Sequence, residues 1–179
     1  ALTGLLLVTQ WLVVIDTVRA IAEWQAATPL AWVFLWLTVL GMIVLHELGH
    51  AVTCAVHGGD VREMGVLFLF FQPCLYANVN DAWTFPDWRK RLYVVAAGVF
   101  TEFVVGSLAL WLWFLTAPGT VIHLLAFQAA AVCALGSVLF NLNPLMKLDG
   151  YYALSDWLDN ANLRQRASAH LNERVHAWF

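Results

Sequence analysis

The sequence predicts an all-α polytopic membrane protein. It should have about four transmembrane helices, a short membrane-level β-hairpin or strand, and a C-terminal amphipathic helix. Three observations predict this. The 179 residues are 61% hydrophobic and 12% charged, whereas a soluble domain is about 45–50% apolar and about 25% charged. Apolar stretches close to the roughly 20 residues that cross a hydrocarbon core recur along the chain. Capping residues, prolines and glycines punctuate them. A soluble fold of this size could not hide so much apolar surface, so the excess must face lipid or a protein partner. The net charge of −3 gives no basis for nucleic-acid binding. Cys54, Cys74 and Cys133 lie in apolar surroundings without a paired spacing and read as free thiols. Ala1 already lies inside an apolar run with no signal-peptide n-region before it, so the expectation is a piece of a longer protein.

The first span covers about residues 2–18 and contains Gln10 and Asp16. The second begins at Thr28-Pro29, a cap followed by proline in the first turn, and runs to about residue 56, where Gly58 and Gly59 stop it. Residues 65–72 follow. They are too short to span as a helix, and their β-branched and aromatic content suggests a buried strand or hairpin that Pro73 ends. Irregular backbone at membrane depth is tolerated only against protein or beside a wet cavity. The third span covers residues 91–115, with Asp87 as its cap and Ala117-Pro118-Gly119 at its end. The fourth runs from Thr120 to about Asn141, and Pro144 breaks it.

Residues 1–150 therefore form the transmembrane core. In residues 151–179, Leu163, Ala167, Leu171, Val175 and Trp178 recur at helical spacing between Arg164, Arg166, Asn172 and Arg174. This reads as an amphipathic helix at the membrane surface, or as one packed on a further domain. Arg89, Lys90 and Arg91 precede the third span, and Arg164 and Arg166 follow the fourth. Both clusters mark the cytoplasmic face. The loop with Arg19 and Glu23 falls on the opposite face.

His46-Glu47-Leu48-Gly49-His50 is an HExxH motif near the end of the second span. Positions i and i+4 share a helix face, so both imidazoles reach one metal, and Glu47 can address a water on that metal. The competing reading is a set of polar side chains satisfied inside a bundle. It is poor here, because residues 33–45 carry no charge and ionisable groups in a membrane helix are costly and usually functional. A catalytic zinc takes three protein ligands and leaves a fourth position for water. Glu63, Glu102 and Asp149 are the candidates for the third ligand. Spacing favours Asp149, because Pro144 and Gly150 bracket backbone that cannot stay regular helix and can aim a carboxylate inward.

HExxH in one span and Asn141, Pro144, Leu148, Asp149 and Gly150 in a later one resemble the site-2 protease family of intramembrane zinc metalloproteases. The resemblance covers about residues 29–156. The run 141–156 and Asp81-Ala82-Trp83 look more like a bacterial subgroup of peptide zinc metalloproteases linked to secretion-type membrane-fusion modules. The resemblance implies zinc held by His46, His50 and Asp149, with Glu47 as general base. It also implies an integral protein of the bacterial cytoplasmic (inner) membrane with its active site toward the cytoplasm. Its partners would be membrane lipid, a peptide or membrane-protein substrate, and a fusion module or larger membrane complex.

One departure stands out. Many members carry Gly-Pro-x-x-Asn in the third core helix, where the asparagine is thought to hold substrate or the oxyanion. This chain has Gly98-Val99-Phe100-Thr101-Glu102. Glu102 and Asn141 are candidate substrate contacts, and the competing reading of Glu102 is a carboxylate hydrogen-bonded inside the bundle. Gly65, Val66, Leu67, Phe68 and Leu69 are candidates to present an extended substrate. Cys54 lies one turn beyond His50, and as a fourth ligand it would close the catalytic position. His57 and His123 read as surface or interface histidines. Two rivals to proteolysis are a non-cleaving accessory subunit and an export-complex component on the same scaffold.

Overall fold

A computed structural model of the chain describes residues 2–69, 72–158 and 162–176. In order, the elements are α1 (Leu2–Ala27), α2 (Pro29–Val56), β1 (Met64–Leu69), β2 (Gln72–Ala77), a 3₁₀ turn (Asn80–Thr84), α3 (Trp88–Leu115), α4 (Val121–Leu135), a π-helical turn (Gly136–Asn141), α5 (Asp149–Trp157) and α6 (Leu163–His176). Among the described residues three helices are long and apolar enough to cross a membrane: α2, α3, and α4 with its π turn, Val121–Asn141.

The predicted punctuation operates through capping bonds. Leu30 N donates to Thr28 Oγ1 at 3.2 Å, Arg89 N to Asp87 Oδ1 at 2.9 Å, and His123 N to Thr120 Oγ1 at 3.3 Å. These satisfy backbone donors that a first helical turn cannot pair internally. Gly58 ends α2 with φ +88°, a conformation open to glycine.

Three expectations about the course of these elements need correction. Arg19 and Glu23 do not lie in a loop, because α1 continues to Ala27; residues 19–27 contain no glycine or proline to stop it. Residues 65–69 of the segment at 65–72 belong to β1, which pairs antiparallel with β2, and its described side chains are not buried: Val66 and Leu67 are each 55% exposed and Phe68 78%. Pro73 does not end the run. It lies within β2 opposite Phe68. Asn78 N donates to Glu63 O at 2.9 Å, so the hydrogen-bonded pairs are Gly65–Tyr76 and Leu67–Cys74, and Phe68–Pro73 is a non-hydrogen-bonded pair. A proline there removes no ladder bond, since its missing N–H would point outward. Phe70 and Phe71, like Trp178 of the expected amphipathic stripe, lie outside the described residues.

The chain divides into two compact units, Ala1–His46 with Phe100–Ser137, and Glu47–Val99 with Val138–Phe179. In the first, Gln128 Nε2 donates to Thr38 Oγ1 at 3.0 Å and Cys133 Sγ lies 3.7 Å from Met42 Sδ. A Cβ on Gly106 would meet Cys133 Cβ at 2.9 Å, the small-residue approach that membrane helices use in place of a hydrophobic drive. His123 is buried at 4% exposure, so of its two expected placements, surface or interface, the surface one does not hold. Its ring packs 5.5 Å from that of Trp113, and its Nδ1 pairs with Thr116 O at 3.2 Å.

In the second unit, Cys54, Ala82, Phe85 and Val94 form a buried cluster. Arg91 also ties two elements together. Its Nε donates to Asp156 Oδ1 at 3.0 Å and its Nη1 to Phe85 O at 3.1 Å, which fixes α5 to the start of α3. Asp149 is the first residue of α5, so this ion pair anchors the helix that carries the candidate third ligand.

Candidate metal centre

His46 and His50 stand one turn apart on α2 and are buried, at 8% and 7% exposure. Each ring has its Nδ1 engaged. His50 Nδ1 pairs with the Val94 carbonyl at 2.7 Å, and His46 Nδ1 lies 3.1 Å from Glu102 Oε1. A neutral imidazole that donates from Nδ1 presents its lone pair at Nε2, the usual arrangement for a metal-binding histidine. Asp149 Oδ2 is a buried oxygen, 3.3 Å from His50 Nε2.

The regular helix stops before this carboxylate. α4 gives way to the π turn, and an irregular stretch leads to Leu148, the N-cap of α5. Asp149 in the first turn of α5 also places its charge at the positive end of the helix dipole. One ligand atom from each of His46, His50 and Asp149 lies within 4.8 Å of the other two.

Two imidazole nitrogens and a carboxylate oxygen are the donor set of a catalytic zinc, with one position left over. Ligands at about 2.0–2.1 Å in a tetrahedron stand about 3.3 Å apart, and the His50–Asp149 separation fits that edge. The residues present therefore suit zinc.

Glu47 is not one of the three. It is half-buried, and its Oε2 accepts from the Ala77 backbone N–H at 2.9 Å. The outer edge of β2 thus holds the side chain that follows the first histidine. Glu102 is buried on α3 at 6% exposure; besides His46 it meets the hydroxyl of Ser137, which donates to its Oε2. Asn141 closes the π turn, and its carbonyl oxygen is one of the atoms that Gly150 approaches most closely. Gly65, Val66, Leu67, Phe68 and Leu69 form β1. Cys54 is fully buried in the apolar cluster of the second unit. Glu63 hydrogen-bonds the Asn78 side chain at 3.4 Å. Neither belongs to the metal-ligand group found among the described residues. His57 is a helix-end histidine, with Nδ1 against Thr53 O at 2.8 Å.

Sequence reasoning missed the Val94 carbonyl, the Ala77 amide and Ser137. The first two are backbone groups, which leave no trace in residue identity. Ser137 left only a weak signal, a hydroxyl in the otherwise apolar run 129–140.

Together these features define a protein with three helices long and apolar enough to cross a membrane and an HExxH turn in a group of residues that could hold a metal. The model of Peptidase family M50 matches residues 34–126, more than half of the chain, and the chain belongs to that family, the site-2 proteases. The match takes in the HExxH turn, the hairpin and Glu102, and it ends before Asp149. No curated protein and no solved structure matches the chain.

Proposed function

We propose that this chain is an intramembrane zinc metallopeptidase that hydrolyses peptide bonds within or near the membrane. His46, His50 and Asp149 are its zinc ligands and Glu47 is its general base. The observation that carries the reading is the convergence of the three ligand atoms next to a glutamate that stands outside the ligand set. Zinc at this position would supply Lewis acidity, polarising a carbonyl and acidifying a water toward a pKa of about 7. Glu47 takes a proton from the attacking water as its oxygen bonds to the carbonyl carbon. When the C–N bond breaks, Glu47 passes that proton to the leaving nitrogen. The Ala77 N–H holds the Glu47 carboxylate in one orientation through this shuttle.

The hairpin has a separate task. A helical substrate hides its carbonyls in hydrogen bonds, so it must unwind locally, and its bare N–H and C=O groups are costly in lipid. An open strand edge offers replacement partners. The outer edge of β2 is taken by Glu47 at Ala77 and lacks a donor at Pro73. β1 carries outward N–H groups at Met64, Val66 and Phe68, and its edge is the one that substrate pairs with.

Glu47→Gln tests the central role. In proteoliposomes with peptides that carry a transmembrane segment, the variant should keep one zinc per chain and lose cleavage by about 100-fold or more, since an amide cannot relay a proton. Turnover near the parent's would falsify the assignment.

A further inference from the structure

Glu102 is a candidate substrate contact by sequence, yet both of its carboxylate oxygens have partners within the first unit. It is buried on α3. One oxygen, Oε1, lies 3.1 Å from His46 Nδ1, and the other, Oε2, accepts from the Ser137 hydroxyl. A Cβ on Gly136 would stand 3.7 Å from Oε1, so the start of the π turn lies directly against the carboxylate. A π turn inserts an extra residue into a helical ladder and re-aims the side chains around it. Here it turns Ser137 toward Glu102. His46, Glu102 and Ser137 all belong to the first unit, and they form a chain from a π-turn hydroxyl through a carboxylate to an imidazole.

We infer that Glu102 is a positioning residue for the metal centre: held by Ser137, its carboxylate accepts from His46 Nδ1, fixes the ring's tautomer and plane, and sets Nε2 as the ligand atom. The inference rests on the zinc reading given above and adds a residue to it. A carboxylate behind a metal-binding imidazole raises the basicity of the ligating nitrogen, and loss of such a partner typically costs about 10–100-fold in metal affinity. His50 is served by a backbone carbonyl, which no substitution can remove. His46 is served by a side chain, and its geometry is therefore open to mutation. Glutamate is tolerated at this buried position in an apolar helix because both of its oxygens have partners. Developing negative charge on a substrate would be repelled by a carboxylate here, whereas a cation held beyond His46 is favoured by it.

The test compares zinc affinity, by chelator competition in detergent, for the parent, His46→Ala, Glu102→Met and Glu102→Gln. Size-exclusion elution and helix content confirm that each variant is folded. Glu102→Met keeps volume and removes the acceptor, and its affinity should fall about 10–100-fold. Glu102→Gln keeps an acceptor oxygen, so it should recover most of that loss and serves as the folded comparator if the methionine variant does not assemble. Cobalt(II) in place of zinc should show an altered visible spectrum in Glu102→Met and a parental one in Glu102→Gln. Zinc affinity of Glu102→Met within about twofold of the parent, or equal losses in the two variants, would overturn the positioning role while leaving the zinc site standing. A parent that takes up no zinc, or a His46→Ala variant that binds it as the parent does, would remove the zinc reading and this inference together.

Discussion

Gly150, beside the candidate ligand Asp149, has no space for a side chain. A Cβ there would lie 2.6 Å from the carbonyl carbon and oxygen of Leu142 and 2.8 Å from the Asn141 oxygen. These contacts are with backbone, which cannot swing aside as a side chain can. The tight approach folds residues 141–150 back on themselves and starts α5 at Asp149. Gly150→Ala should push the two backbone segments apart, shift Asp149, and lower stability by about 1–3 kcal/mol. Zinc affinity should drop by about tenfold or more, because ligand placement is fixed by its supporting structure. Chelator competition and a thermal midpoint in detergent measure both effects; parental zinc affinity would show that this approach does not place Asp149.

Other residues follow the same logic with different outcomes for a reader of the sequence. The HExxH spacing alone puts His46 and His50 on one face of a helix. Asp149 could be read because a proline and a glycine bracket it. Glu102 could be singled out as a departure, but its partner could not, since its role depends on a π turn that no local pattern announces.

At the scale of elements, the helices were legible because each apolar run ends at a cap or breaker whose hydrogen bond is then found: Thr28, Asp87 and Thr120 each accept from a first-turn N–H. The end of α1 was not legible, because residues 19–27 mix charge with good helix formers and hydropathy falls before helicity does. The hairpin was legible as strand-like but not in register or exposure, which depend on long-range pairing. Register matters to its test. Leu67 faces its partner Cys74 in a hydrogen-bonded pair, so proline there would break the ladder itself. Val66 and Phe68 direct their N–H groups outward, and proline at either removes an edge donor while sparing the ladder. Val66→Pro and Phe68→Pro should each reduce cleavage of a membrane peptide by about tenfold, the cost of about one hydrogen bond in a dry site, with zinc content unchanged. Full cleavage by both variants would exclude β1 as the presenting edge.

At the scale of the whole molecule, the basic residues propose an orientation with the HExxH end of α2 and the Asp149 end of the fourth span toward the cytoplasm. Arg91 is partly spent on Asp156, so the signal rests on Arg89, Lys90, Arg164 and Arg166. Single cysteines at Asp60 and Arg164, on a background without the native thiols, should react with an impermeant maleimide only when it reaches the cytoplasmic face. Labelling of both from the other face alone would invert the orientation.

In the proposed reading, this membrane protein is organised around one zinc held by two histidines and one aspartate. X-ray absorption at the zinc edge of the purified protein reads that ligand set directly. The spectrum should show one zinc per chain, nitrogen and oxygen neighbours at about 2.0–2.2 Å, and scattering from two imidazole rings that weakens in His50→Ala. A sulfur neighbour at about 2.3 Å, a spectrum unchanged by His50→Ala, or a protein that takes up no zinc would contradict it.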